Sequence, residues 1–174
     1  MKIYTKAGDD GTTGLFLGGR VSKADTLVDA CGEIDEAVAV LGLARAGCAD
    51  PELAAVVLAR QKDLFVVAAD LATNPEHRDR LAPGVSQVTP EMIGTLEALI
   101  DRLVTERPLR PVFVVPGAAP TSAALDHART VVRRAERRVV QAQEEGHLVS
   151  PAALGLAISA RRPWSATGSS PARA

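Results

Sequence analysis

An antiparallel bundle of α-helices is the fold class that three features of this 174-residue sequence predict. From about Ala24 onward, apolar residues recur at three- and four-residue steps, the period of a one-sided helix. Three stretches open on a capping residue followed by proline, namely Asp50-Pro51, Thr89-Pro90 and Ser150-Pro151. This pair satisfies the free N–H groups of a first turn and presets its φ. The one strand-like run, Val112-Phe113-Val114-Val115, is too short to make a sheet alone.

Taken in order, residues 1–23 carry five glycines, Gly8, Gly11, Gly14, Gly18 and Gly19, among threonines and a serine. This composition predicts an arm of loops and short extended pieces. Leu27, Cys31, Ile34, Val38 and Leu41 then mark the apolar face of a first helix. Leu53, Val56, Val57, Gln61, Leu64, Val67 and Leu71 mark a second. The stretch from Asn74 to Gln87, with Pro75, Pro83 and Gly84, is a connecting loop. Ile93, Leu96, Leu99, Ile100 and Leu103 define a third helix after Thr89. A fourth runs from about Pro120 to Glu145, with Ala124, Ala128, Val131, Val132, Ala135, Val139 and Ala142 on its apolar side. Ser150-Pro151 starts a fifth. Four or five such helices with almost no strand predict a bundle of one domain.

Bulk properties exclude several classes. Apolar residues are 47% and charged residues 24%, with a net charge of −1, so no global field draws nucleic acid or an anionic membrane. Two cysteines supply neither a disulfide framework nor a four-thiolate zinc site. No cluster of His, Cys and carboxylates has metal-ligand spacing. No apolar run spans a bilayer and no signal core opens the chain, so a cytoplasmic location is expected.

Two segments carry candidate chemistry. Thr5-Lys6-Ala7-Gly8-Asp9-Asp10-Gly11-Thr12-Thr13-Gly14 combines backbone freedom with hydroxyl and ammonium donors, which suits a polyphosphate. It lacks the Gly-Lys-Ser/Thr of a Walker loop, and a plain turn-rich arm has the same composition. In His127-Ala128-Arg129-Thr130-Val131-Val132-Arg133-Arg134-Ala135-Glu136-Arg137-Arg138, a helix aligns Arg129, Arg133 and Arg137 in one row and Arg134 and Arg138 in the next. Arginine forks at this density fit phosphate. A solvated basic face with Glu136 pairing locally is the alternative. Asp35, beside the apolar face of the first helix, is either partly solvated or paired with a base from another helix. Phe113 is either a core residue or part of a site next to Pro116-Gly117. No Ser-His-Asp arrangement is present, so a protein nucleophile is not expected.

Together these segments resemble the PduO-type ATP:cob(I)alamin adenosyltransferases. The likeness begins at Ile3-Tyr4-Thr5-Lys6-Ala7-Gly8-Asp9-Asp10-Gly11-Thr12-Thr13. It continues through Arg20-Val21-Ser22-Lys23, Gly32-Glu33-Ile34-Asp35-Glu36, Gln61-Lys62-Asp63-Leu64-Phe65 and Phe113-Val114-Val115-Pro116-Gly117. It is strongest from His127 to Arg137. The resemblance implies a five-helix, ferritin-like bundle assembled as a homotrimer, with active sites between subunits. It implies ATP as co-substrate with Mg²⁺ on its phosphates, and cobalamin as the substrate. Matched by position, Thr5, Lys6, Ala7, Gly8, Thr13, Gly14, Lys23, Arg133, Arg134, Glu136 and Arg137 would contact ATP. Phe113 would pack beneath the corrin and displace its lower axial ligand. Asp35 and Arg129 would form an ion pair across the interface that shapes the cobalamin pocket. A cobalamin reductase and an acceptor enzyme are the implied protein partners.

The likeness weakens at the C-terminus. After Leu154 the family continues with a helix whose Asn contacts ATP, whereas this chain reads Gly155-Leu156-Ala157-Ile158-Ser159-Ala160-Arg161-Arg162-Pro163-Trp164. Pro163 forbids a long helix there. A shift of reading frame after Leu154 would produce such a tail. The expected organisation is an ATP-binding arm over 1–23, a bundle over 24–154 and a divergent, disordered tail over 155–174, with the fifth helix altered or truncated. A non-catalytic ATP- or corrinoid-binding bundle, acting as chaperone or sensor, and a plain helical interaction protein are the competing readings.

Overall fold

The computed structural model describes residues 6–108 and 115–160. Thr5 and Phe113 therefore lie outside the described residues. Five helices are described: α1 (Thr26–Ala46), α2 (Pro51–Leu71), α3 (Pro90–Glu106), α4 (Pro120–Glu144) and α5 (Pro151–Ala160). The arm contains a hairpin of β1 (Thr12–Gly14) and β2 (Arg20–Ser22), with Thr13 opposite Val21.

Local chemistry accounts for most helix starts. The Asp50 carboxylate accepts from the N–H groups of Glu52 and Leu53 at 2.9 and 3.3 Å. Asp25 accepts from Leu27 at 2.8 Å and Ser150 from Ala153 at 3.1 Å. Thr89 departs from expectation, since its side chain makes no cap bond. It hydrogen-bonds the Glu91 carboxylate instead and helps hold that group below its usual pKa. The connecting loop also contains a 3-10 turn over Pro75–Arg80, capped by Asn74.

α1 is the central helix, packed against α4 and α2, while α5 packs on α4, α3 and α2. α1 and α4 run antiparallel, because Arg134 meets Glu33 while Arg138, one turn later, meets Asp29, one turn earlier. Ile34, Val57, Val67, Leu71, Leu96, Leu125, Val131, Val139 and Leu156 lie fully buried along the common axis. Gln61, read as part of the apolar face of α2, is buried with its amide satisfied. Nε2 donates to the Val38 carbonyl at 2.9 Å and Oε1 accepts from Arg45 Nε at 2.9 Å. α3 is an edge helix on which only Leu96 is buried.

The boundary expected at residue 155 needs correction. Residues 155–160 are helical, and Leu156, Ala157, Ser159 and Ala160 are buried. The residues there are small or apolar and fill the groove against α3 and α4. At Gly155 a side chain would stand 3.0 Å from Ile93 Cδ1, so the glycine permits close approach of α5 to α3.

Candidate anion-binding site

The arm is internally braced. Successive turns close through Asp9 N–H to the Lys6 carbonyl and Gly11 N–H to the Gly8 carbonyl, both at 3.2 Å. Lys6 itself takes a positive φ of 58°. Arg20 reaches back from β2, with Nε donating to Thr12 Oγ1 at 2.8 Å and Nη2 bonding the Ala7 carbonyl. The Asp10 carboxylate accepts from the Thr12 N–H and hydroxyl at 2.9 and 2.8 Å. These bonds, the backbone one first, hold its pKa below the usual carboxylate value. Lys23 ends the arm by donating its N–H to the Gly11 carbonyl at 2.9 Å. A Cβ at Gly8 would lie 3.1 Å from Lys23 Nζ, so the glycine admits the ammonium group against the backbone. Gly8 and Lys23, fifteen positions apart in sequence, thus lie against each other. Thr13 and Gly14 lie on β1 of the same hairpin.

α4 presents its arginines in two chemically different rows. Arg134 donates Nε to Glu33 Oε2 at 2.5 Å and Nη2 to Glu36. These carboxylates, Glu33 first, raise the pKa of the guanidinium. Arg138 meets Asp29 at 2.8 Å. The acids Asp29, Glu33 and Glu36 stand on one face of α1 and neutralise this row. Arg133 and Arg137 are exposed, and neither meets an acid among the described residues. Arg137 Nη1 donates to the Arg133 carbonyl at 3.0 Å, which fixes its direction along the helix. Glu136, between the rows, is half-buried. Anions within the protein thus face three of the five cations: α1 serves Arg134 and Arg138, and Arg129 has Asp126 at 3.6 Å.

Asp35 and Arg129 do not meet within one chain. Asp35 is exposed and sits two residues from Glu33, which faces α4, so its side chain points away from α4. Arg129 borders a narrow cleft that also involves Arg60, Asp63, Leu64, Leu96 and Leu156. In it, Arg60 is buried with Nη2 on Asp63 at 3.0 Å, while Nε and Nη1 have no partner among the described residues. Burial pushes the Asp63 carboxyl up.

The antiparallel run of α1 and α4 places the arm's root at the α4 end that carries Arg137 and Arg138. Thr26 hydrogen-bonds Glu145, and Asp25 lies 3.5 Å from His147. Sequence reasoning misses the brace supplied by Arg20 and the counter-row Asp29, Glu33 and Glu36. The latter has a readable trace, acids at four- and three-residue steps on the first helix.

Such a molecule is an all-helical bundle with a glycine-rich arm and a cationic helix face, a class built to hold an anionic ligand. The chain belongs to the cobalamin adenosyltransferase family, whose model matches residues 3–157. The corrinoid adenosyltransferase of Mycobacterium tuberculosis strain H37Rv is 43% identical over 159 residues, covering 87% of this chain and 79% of that protein. Corrinoid adenosyltransferase PduO of Salmonella typhimurium is 41% identical over 146 residues, and the match covers 83% of this chain but 42% of that protein. The chain thus spans less than half the length of that PduO relative. Among solved structures, a phenylalanine-to-alanine variant of a PduO-type ATP:corrinoid adenosyltransferase from Lactobacillus reuteri, complexed with cobalamin and ATP, superposes with a TM-score of 0.83. It is 29% identical, and the match covers 95% of this chain and 90% of that one. An arginine-to-lysine variant of the Lactobacillus reuteri enzyme, complexed with ATP, gives 0.81 at 29% identity, covering 94% and 90%.

Proposed function

We propose that this chain transfers the 5′-deoxyadenosyl group of ATP to cob(I)alamin, giving adenosylcobalamin and triphosphate. The observation that carries this reading is the Arg133 and Arg137 face, which meets no acid among the described residues, at the end of the bundle where the arm is rooted. A triphosphate leaving group needs such a concentration of donors, because the C5′–O bond electrons end on its oxygen. The cobalt lone pair attacks C5′, so no protein nucleophile is needed. Lys6, Lys23, Arg133 and Arg137 would bind the phosphates, with Ala7, Gly8, Thr13 and Gly14 as backbone contacts and Thr5 beside them. Arg134 can add only Nη1 and the second N–H of Nη2, since Glu33 and Glu36 take Nε and the other N–H of Nη2. Mg²⁺ would be carried by the phosphate oxygens and water. Asp10 is already engaged by Thr12 and Arg20, so the arm offers the ion little beyond Asp9.

On the corrin side, Phe113 would occupy the lower axial position. Asp35 of one subunit would pair with Arg129 of another in a homotrimer. A reductase that delivers cob(I)alamin and an enzyme that accepts the adenosylated product would act on either side of this step, in the cytoplasm.

The decisive assay mixes the protein with ATP and chemically reduced cobalamin and follows the cobalamin spectrum. Conversion to the adenosylated form, with triphosphate released in equal amount, is expected. The family match ends at residue 157, and the alternative is a bundle that binds without turnover. ATP binding by calorimetry with no spectral change would establish that alternative, and absence of ATP binding would remove both.

A further inference from the structure

Among the described residues, two joints tie the arm to the bundle. One joint is covalent, from Lys23 into α1. The other is a short parallel bridge between Phe16 and Thr73. Phe16 N–H donates to the Ala72 carbonyl at 2.8 Å, and Asn74 N–H donates to the Phe16 carbonyl at 3.0 Å. At the hairpin's far corner Gly19 has a φ of +85°, and a Cβ there would stand 2.9 Å from Asn74 Nδ2. The bundle's half of this latch is therefore residues 72–74.

That half is held from within by a charge pair. Asp70 is fully buried; its Oδ1 accepts from Arg78 Nη2 at 2.5 Å and its Oδ2 from the Val88 N–H at 2.9 Å. Arg78 Nη1 also donates to the Asp70 carbonyl at 2.8 Å. Thr73, 2% exposed, ties its hydroxyl to the Ala69 carbonyl at 2.6 Å. A buried ion pair is weak support for stability compared with apolar packing, and its best use is to fix geometry. The geometry fixed here is the exit of α2 just where it meets the arm.

We propose that Asp70 and Arg78 are positioning residues for ATP. They hold the 72–74 segment, that segment holds Phe16 and the hairpin, and the hairpin sets the approach of Lys23 to Gly8. Neither residue belongs to the arm or to α4. This role rests on the adenosyltransferase reading.

Two variants test it, Asp70→Asn from inside the bundle and Gly19→Ala from its surface. The second needs no change in the core, so it decides the matter if the first does not fold. In nucleotide-free protein, trypsin should cut faster after Arg20 and Lys23 in both variants. The KM for ATP should rise about tenfold, with kcat at saturating ATP and the KM for cob(I)alamin within about twofold of wild type. Unchanged arm cleavage together with unchanged ATP KM would overturn the positioning role. So would a parallel loss of kcat and of both substrate affinities, the mark of simple core damage. If the wild-type protein itself fails to bind ATP in calorimetry, the adenosyltransferase reading and the positioning role fall together. If wild type binds ATP and the variants bind it equally well, the positioning role alone is lost.

Discussion

Cys31 lies on α1 with its sulfur 4.0 Å from the Ala68 carbonyl of α2. Burial, aided by the charge of Asp25, pushes its thiol from 9.0 up to about 11. A thiolate is thus disfavoured in the folded protein, in keeping with chemistry in which the metal is the nucleophile. The shift also has a stability consequence of defined sign. The unfolded chain releases this proton near the ordinary value while the folded chain keeps it, so the stabilisation is present below pH 9 and lost as pH rises toward 11. About 2–3 kcal/mol is at stake for a shift of this size. Denaturant unfolding of wild type and Cys31→Ala between pH 8 and 11 should show the wild type losing stability more steeply. Parallel curves would dismiss the effect. At the same scale, Asp35 was only partly legible. Its need for a partner follows from its position, but which chain supplies that partner depends on the direction its helix face points, and that is set by Glu33 facing α4.

Helices were the most legible level, because caps are local. Asp50-Pro51 and Ser150-Pro151 behave as their chemistry requires, while Thr89 finds a nearer partner in Glu91. The two arginine rows of α4 are visible in sequence, but their different fates are not. Deciding which row is neutralised requires knowing that α1 lies antiparallel to α4, a contact between residues about a hundred positions apart. The tail boundary at residue 155 fails for a related reason: residues 155–160 keep the small and apolar side chains that packing requires, and they are helical. The two rows predict opposite mutational signatures. Arg133→Ala or Arg137→Ala should weaken ATP binding by about 1.5–3 kcal/mol, the worth of one charge-assisted contact, with little change in melting temperature. Arg138→Ala removes a surface pair and should cost at most about 1 kcal/mol of stability while leaving ATP affinity close to wild type. Titration calorimetry and thermal melts on the three variants measure both quantities, and equal ATP affinity across all of them would contradict the assignment of rows.

For the whole molecule, exposed apolar side chains bear on assembly. Leu58 and Phe65 share a face of α2 at 38% and 57% exposure, and Leu43 of α1 is 66% exposed. Large apolar residues grouped this way mark association surfaces. Together with an Asp35 that cannot reach its own Arg129, they favour the proposed trimer. Light scattering should give about three times the mass of the 18.2 kDa chain. Phe65→Asp should shift the population toward monomer, since burying an unpaired charge in an interface is costly. A wild-type monomer at micromolar concentration would remove the between-subunit site.

The contrast on α4 between Arg134 and Arg138, answered by α1, and Arg133 and Arg137, which meet no acid among the described residues, also bears on how such a sequence can drift over generations. Losing Arg134 strands Glu33 and Glu36 on another helix, so tolerated change there must come as matched replacements in both helices. Losing Arg133 or Arg137 strands no carboxylate in the bundle. In the proposed reading their identity is anchored outside the polypeptide, in the phosphates of ATP, and stays fixed only for as long as that ligand is used.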